Sequence, residues 1–175
     1  LAERLTTSDR DLREENIEIG EKLAIARGQL EEVERLHSLL EDRFATARRV
    51  VDFAADSDSL GSVLLAYARE IEKFTISDPT EDLSRNVGGS VIRRINLEEE
   101  LKQLSSASGF IEQQMGIEGI ESSAVPESSR VALVDLVGNY RTRLRSVIRS
   151  ESEYIETLSD LGDRYTGFIG PINEY

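Results

Sequence analysis

The chain has 175 residues and a mass of 19.6 kDa, and its 34 acidic and 21 basic side chains give a formal net charge of −13. This charge argues against nucleic acid as a partner, because phosphate binding requires clustered cations. Aromatic residues make up 6% of the chain and charged residues 31%, which favours long helices with solvated faces over an aromatic-rich enzyme core. Composition and spacing therefore predict an architecture rather than a biochemical activity.

The residues that most metal and nucleophile sites require are scarce. The sequence has no cysteine and a single histidine, His37. This excludes a disulfide framework, a thiolate metal site and a site with several histidine ligands, and we expect no cofactor. No apolar run approaches the roughly 20 residues that cross a bilayer, so we expect no direct membrane insertion. Because Leu1 begins in the middle of a helical pattern without a signal peptide, we expect the chain to be a fragment of a longer protein.

A seven-residue repeat runs through the first part of the chain. One set of positions is apolar throughout, and a second set, three residues earlier, is apolar at four of its seven positions. Together they predict a coiled-coil seam on a long helix over about residues 3–54. Such a helix must bury its seam against other helices, because packing supplies most of the stability of a helix in water. The first set is Leu5, Leu12, Ile19, Ala26, Val33, Leu40 and Ala47, and the second is Asp9, Asn16, Leu23, Leu30, His37, Phe44 and Val51.

Two shorter helices are predicted in the middle of the chain. Short polar residues end the first helix, and apolar residues at spacings of three and four then indicate a helix over residues 59–75. Asp78 and Pro79 form a helix start, which predicts a further helix over residues 79–106. We expect a kink or frayed turns where Gly88 and Gly89 interrupt it.

Residues 105–129 are rich in Ser, Gly and Glu and are predicted to be a loop. Their apolar side chains show no clean period. We expect some of them to form a short helical turn that docks on the bundle. These apolar residues are Phe110, Ile111, Met115, Ile117 and Ile120.

The repeat returns after Pro126 and predicts a last helix over residues 127–170. Twelve of its thirteen seam positions are apolar or aromatic, and Glu151 is the exception. A second apolar stripe indicates contact with more than one neighbour, and Gly170 and Pro171 are expected to end or kink the helix. The seam is Leu133, Val137, Tyr140, Leu144, Val147, Glu151, Tyr154, Leu158, Leu161, Tyr165, Phe168, Ile172 and Tyr175, and the stripe is Leu136, Ile148, Ile155 and Ile169.

These elements predict an all-α fold, an elongated antiparallel helical bundle with two long coiled-coil helices and two shorter helices. We expect a single domain over residues 1–175. The two long helices are expected to be antiparallel because the connections are short relative to the helices. The end that holds both termini would then be a two-stranded coiled coil or would pair with another chain.

His37 and Glu151 interrupt the seams and are the candidates for a role beyond packing. A buried His37 would act as a pH switch, although a partly exposed residue at an imperfect coiled-coil layer is the simpler interpretation. Glu151 interrupts the last seam. An antiparallel pairing that aligns Val51 with Leu133 would bring Glu151 within about one helical layer of His37, which gives the hypothesis of a contact between them.

Asp9 and Asn16 also occupy seam positions in the first helix. A buried Asn can fix the register and the number of partners of a coiled coil, at some cost in stability. The alternative, which we favour, is that the first three turns of this helix are unpaired or frayed.

The other charged clusters are interpreted as solvated helix faces. The acidic clusters at residues 9–11, 31–32 and 98–100 lack the alternating spacing of a calcium loop. Gly88 and Gly89 lack the lysine of a phosphate loop. We therefore predict no catalytic, cofactor-binding or metal-binding residue. Arg141, Arg143, Arg145 and Arg149 are placed on a solvated face, and Tyr140, Tyr154, Tyr165 and Tyr175 in the core with their hydroxyls at its edge.

Three stretches resemble one protein family: residues 36–44 (LHSLLEDRF), residues 59–64 (SLGSVL) and residues 133–165, which include the run YIETL. The family is the N-terminal periplasmic helical region of the large MscS-like mechanosensitive channels of the potassium-efflux-system type. In that family a coiled-coil region follows the signal peptide and precedes many membrane helices and the channel core. The resemblance covers most of the chain as a pattern, without a motif of defined chemistry.

The resemblance implies a non-catalytic, extramembrane module of a bacterial inner-membrane channel that answers membrane tension or osmotic downshock. It implies a periplasmic location, and self-association or contact with other channel subunits through apolar helix seams, with cell-envelope proteins as further partners. The alternative is a free-standing cytoplasmic coiled-coil scaffold or tether. A di-iron enzyme of the helical-bundle type is excluded, because each Glu-x-x-His motif needs its own histidine.

Overall fold

The chain is all-α in the computed structural model, which describes residues 1–54, 61–62, 65–66, 69, 79–121 and 124–173. The prediction of an all-α helical bundle is confirmed for these residues. Most of the predicted helix at 59–75 lies outside the described residues. The helices whose bounds lie within the described residues are α1 (Ala2–Ala54), α2 (Thr80–Gln103), α3 (Ala107–Ile117) and α4 (Glu127–Asn173).

The two long helices, α1 and α4, run side by side in the same direction. Near the start of α1, Asp9 Oδ1 lies 3.4 Å from Arg143 Nε of α4. Further along, Glu34 Oε1 lies 3.3 Å from Arg164 Nη2. Because residue numbers rise together along both helices, α1 and α4 are parallel. The prediction that the two long helices are antiparallel is therefore wrong.

α1 and α4 are parallel because α2, which connects them in the chain, runs antiparallel to both. Its first turn packs near Ala26 of α1 through Leu83, and a turn near its end contacts Tyr140 of α4 through Glu100. The chain thus runs up along α1, down along α2 and up again along α4. The sequence-based prediction paired the two long helices directly and did not allow for the reversal that α2 provides.

The first seam of α1 is buried as predicted. Six of its seven positions, Leu5 through Leu40 at seven-residue spacing, are at most 6% exposed, and Ala47 is half-buried. In the second set Leu23 is buried and the other residues are half-buried. Burying each large aliphatic side chain stabilises the bundle by roughly 1.5–3 kcal/mol. α1 is helical from Ala2, so its first turns are paired with α4 rather than frayed.

α3 occupies part of the region that was predicted to be a loop. Ser106 caps it, and the Ser106 hydroxyl accepts a hydrogen bond of 3.1 Å from the backbone N–H of Gly109. Ile111 and Met115, one turn apart, are buried in the core. After the helix, Gly119 has a φ of +68°, a conformation that glycine adopts without strain. The expected helical turn is therefore a helix of eleven residues that docks on α4.

The glycines and prolines interrupt the helices less than predicted. α2 passes through Gly88 and Gly89 without a break and begins at Thr80 after Pro79, whereas Asp78 lies outside the described residues. α4 continues through Gly170 and Pro171 and ends at Asn173, three residues beyond the predicted boundary at residue 170. A proline so close to the end of a helix leaves few hydrogen bonds to be lost.

Most of the buried apolar residues in the described part of the chain form two clusters along the bundle. The Leu97 cluster lies at the end where α3 docks, and the Leu158 cluster lies towards the opposite end. Tyr154 packs against both. The Leu97 cluster contains Leu5, Leu12, Ile19, Leu97, Leu104, Ile111, Met115, Val137, Tyr140, Leu144 and Val147, and the Leu158 cluster contains Ala26, Val33, Leu83, Leu158 and Leu161.

Candidate functional site

Glu151 lies on α4 at the boundary between the two apolar clusters. Val147, one turn before it, belongs to the Leu97 cluster, and Leu158, two turns after it, belongs to the Leu158 cluster. The Glu151 side chain is 5% exposed, and among the described residues it is the one charged side chain in the buried class. The exception in the predicted seam is therefore a carboxyl group placed inside the bundle.

Groups from α1 and α2 surround this carboxyl and define what we call the Glu151 layer. α1 contributes Glu15 and Lys22, and α2 contributes Ser90 and Arg93. Burial raises the pKa of Glu151 above its ordinary value, and the negative charge of Glu15 raises it further. The Ser90 hydroxyl and the positive charges of Lys22 and Arg93 lower the pKa of Glu151.

Both cations of the layer are engaged by other carboxylates. Arg93 donates from Nε and Nη2 to the two carboxylate oxygens of Glu15, a bidentate pair that links α2 to α1 and raises the pKa of Arg93. Lys22 Nζ lies 2.7 Å from Glu18 Oε1, one turn back on α1. Glu151 Oε2 is buried without a hydrogen-bond partner. The layer thus holds a carboxyl oxygen whose desolvation is not compensated by a direct bond.

Asn16 forms the polar contact between α1 and α4 next to this layer. The Ser150 hydroxyl donates a 2.8 Å hydrogen bond to Asn16 Oδ1, and Asn16 Nδ2 lies 3.5 Å from the Ser146 hydroxyl oxygen. These hydrogen bonds join α1 to α4 at one particular alignment of the two helices along their length. Asn16 is thus half-buried and bonded to α4, and the frayed helix start that the sequence favoured is not observed.

Two further polar contacts lie at the Leu97 end of the bundle. The Tyr140 hydroxyl donates to the Glu100 carboxylate, and burial together with this bond raises the pKa of Tyr140. Arg143, predicted to be on a solvated face, is half-buried and pairs with Asp9. Tyr140 therefore has the predicted position, with its ring in the core and its hydroxyl at the edge.

His37 lies far from Glu151. Its neighbours are Glu41, whose Oε2 is 3.8 Å from His37 Nδ1, and the Glu34 and Arg164 side chains that line the same groove. Since Glu15 and Lys22 bracket Glu151, His37 lies more than fifteen residues, or roughly 25 Å, further along α1. The hypothesis of a His37–Glu151 contact is therefore wrong. The His37 side chain is 44% exposed, as expected at an imperfect coiled-coil layer.

The acidic clusters singled out in the sequence form ion pairs along the helix surfaces. Glu32 pairs with Arg35, and Glu98 and Glu99 pair with Arg94 and Lys102 of the same helix. Within the described part of the chain, no group of three acidic or histidine side chains is placed to hold a metal ion.

Sequence reasoning identified Glu151 but missed the groups that face it from α2. Of these groups, Ser90 continues the seven-residue spacing that joins Leu83 to Leu97. This spacing was a usable signal for a polar stretch of the α2 seam. Because Gly88 and Gly89 were interpreted as a break in the helix, the pattern was not followed through them.

The bundle surface also carries a groove of about 250 Å³ between α3 and α4. Buried Ile111 and Met115 form its floor, and Val131 and Val134 line it while remaining 53% and 37% exposed.

The chain matches no protein-family model, no curated protein and no solved structure to which it was compared. Within the described residues, no helix combines the length and the apolar character that crossing a membrane requires. Conclusions about function therefore start from the arrangement of this chain's own residues.

Proposed function

We propose that the chain is a non-catalytic structural and interaction module, a stiff spacer that separates or connects other parts of a larger assembly. The observation that supports this proposal most directly is the long parallel packing of α1 and α4, with α2 packed along α4 in the opposite direction. Helices that share a seam of this length bend less easily than a single helix, and their outer faces stay available for partners.

The spacer proposal predicts an extended particle in solution. α1 has 53 residues and spans about 80 Å at 1.5 Å per residue. A compact domain of this chain length would have a radius of gyration of about 16 Å. Small-angle scattering with light scattering on the purified chain is expected to give a clearly larger radius for a monomer. A monomer with a radius near 16 Å would contradict the proposal.

The more specific role that we propose is that of an extramembrane region of a tension-gated channel in a bacterial envelope. Its support is the sequence resemblance in residues 36–44, 59–64 and 133–165. Deleting residues 1–175 from the parent protein is expected to change the size of the osmotic downshock that cells survive. The channel itself is expected to conduct ions as before. The Glu156→Gln variant, altered at an exposed position, is the control. A parent protein without membrane-spanning helices would contradict this role.

The alternative is a cytoplasmic scaffold or tether, and the absence of cysteine allows a direct test of the compartment. A Glu156→Cys substitution places one thiol at an exposed position of α4. A maleimide that does not cross the inner membrane is expected to label this thiol in intact cells if the region is periplasmic. Labelling that requires lysis of the cells would favour the scaffold.

A further inference from the structure

The Glu151 layer divides the hydrophobic core at one level of the bundle. On one side lies the Leu97 cluster, to which α1, α2, α3 and α4 all contribute. On the other side lies the smaller Leu158 cluster, formed by α1, α2 and α4. A polar layer with an unpaired buried oxygen lies between them, and Tyr154, one turn along α4 from Glu151, packs against both clusters. Regions with fewer buried apolar contacts open more readily, and among the described residues the Leu158 cluster has five buried members against eleven in the Leu97 cluster, so the Leu158 end is the one expected to open first.

We propose that the Glu151 layer is a proton-controlled joint, at which an ionised Glu151 lets the Leu158 end open separately, and a protonated Glu151 couples both ends into one unit. The proposal is independent of the role as a spacer.

The geometry of the layer supports this joint. In the closed bundle the ionised carboxylate of Glu151 is desolvated, its Oε2 has no partner, and the Glu15 carboxylate repels it. Opening of the Leu158 end would admit water to this oxygen and relieve that cost. Protonation removes both the charge and the repulsion while the bundle stays closed.

The charged groups that face Glu151 do not cancel its charge. From α1 these are Glu15 and Lys22, and from α2 Arg93, with the neutral Ser90 hydroxyl beside it. Arg93 is paired with Glu15, and Lys22 is paired with Glu18.

The direction of the pH dependence follows from the direction of the pKa shift. The pKa of Glu151 is raised in the closed bundle relative to the open state. At pH values between the pKa of the open state and that of the closed state, the closed bundle therefore binds more protons. The closed state therefore gains stability from Glu151 as the pH falls from neutral, and loses it as the pH rises through the folded pKa. The pKa values of Glu18 and Glu32 are lowered by their ion pairs with Lys22 and Arg35, so these pairs remain ionised at pH 5.

Hydrogen exchange of backbone amides, expressed as protection factors at pH 5 and pH 7.5, tests the joint. At pH 7.5 we expect the amides of Leu158 and Leu161 to be several-fold less protected than those of Leu144 and Val147. At pH 5 we expect the difference in protection between these two pairs of amides to be smaller, because the raised pKa of Glu151 favours its protonation as the pH falls. A difference that is the same at both pH values would overturn the proposal.

Two variants of α4 make the test specific. Glu151→Gln keeps the shape of the side chain without its charge, and it is expected to give a small difference in protection at both pH values. Glu156→Gln removes an exposed carboxylate five residues away, and it is expected to behave like the wild type. A Glu151→Gln protein that retains the wild-type pH dependence would overturn the proposal.

A measurement on the wild-type chain keeps the proposal testable if Glu151→Gln folds poorly. The carboxyl carbon of Glu151 is followed by NMR through a pH titration, with Glu156 as the exposed reference. A titration midpoint of Glu151 above that of Glu156 supports the joint, and an equal or lower midpoint overturns it.

Discussion

The two ends of the bundle bury their seams to different extents. Among the described residues, eleven are buried in the Leu97 cluster and five in the Leu158 cluster. The Leu97 end has α3, which adds Ile111 and Met115 to the core. At the Leu158 end a groove of about 320 Å³ lies between α1 and α2 over Leu158 and Leu161. Within the described part of the chain, a heptad seam of uniform appearance thus buries more side chains at one end of the bundle than at the other.

The largest expected effect comes from cavities placed in each end. Leu144 is fully buried, so Leu144→Ala should lower the free energy of unfolding by about 3 kcal/mol. Leu158 is 3% exposed and lies beside the groove, where neighbours can move into the space, so Leu158→Ala should cost about 2 kcal/mol. Urea unfolding followed by circular dichroism at pH 7.5 measures both values.

The control for these cavities is Ile92→Ala, because Ile92 is 63% exposed and its removal should change the free energy by less than about 0.5 kcal/mol. If Leu158→Ala costs as much as Leu144→Ala, the two ends are equally packed and the contrast between them is lost.

Replacing the buried carboxyl should have the next largest effect, with the opposite sign. Glu151→Leu removes a desolvated charge that has an unpaired oxygen, so it should raise the free energy of unfolding by about 1–2 kcal/mol at pH 7.5. At pH 5 the gain should be smaller, because the wild-type carboxyl then binds a proton more readily in the folded state. Thermal unfolding at both pH values measures the difference.

An equal gain at pH 5 and pH 7.5 would show that the charge of Glu151 is not what weakens the layer. Leu added at an exposed position, as in Glu156→Leu, is the matched control and should leave the pH dependence unchanged.

The contact between Asn16 and Ser150 should contribute less. Asn16→Ala removes the acceptor of a 2.8 Å hydrogen bond between two half-buried side chains and should lower the free energy of unfolding by about 1 kcal/mol. Ser150→Ala and the double variant complete a double-mutant cycle. Additive effects of the two substitutions would mean that the contact does not contribute to stability.

The sequence predicted the helical elements better than their arrangement. Seven-residue spacing located α1 and α4, because a seam must repeat to stay on one face of a helix, whereas α2 was located by its Asp78–Pro79 start. The relative direction of α1 and α4 depends on how α2 returns the chain, and the spacing within each helix does not encode that. α3 was predicted as a single turn because Ser and Gly dominate its surroundings, although Ile111 and Met115 are one turn apart.

Only part of the Glu151 layer could be predicted from the sequence. Glu151 was visible as an exception to an apolar seam, since one polar residue in such a series is conspicuous. Its partners Glu15 and Arg93 were not visible, because side chains beside a seam become neighbours only when direction and register are known. The wrong direction also led to the hypothesis that paired Glu151 with His37.

The smallest expected effect concerns the exposed ion pairs between the long helices. Arg27 Nη2 lies 3.2 Å from Glu153 Oε2, and the two side chains are 58% and 46% exposed. Because solvent screens such a pair, Arg27→Gln should change the free energy of unfolding by less than about 0.5 kcal/mol at 0.15 M salt. Urea unfolding at low and high salt is the measurement, with the Glu153→Gln variant as the partner control. A loss above about 1 kcal/mol would mean that surface pairs, rather than the seam, hold α1 against α4.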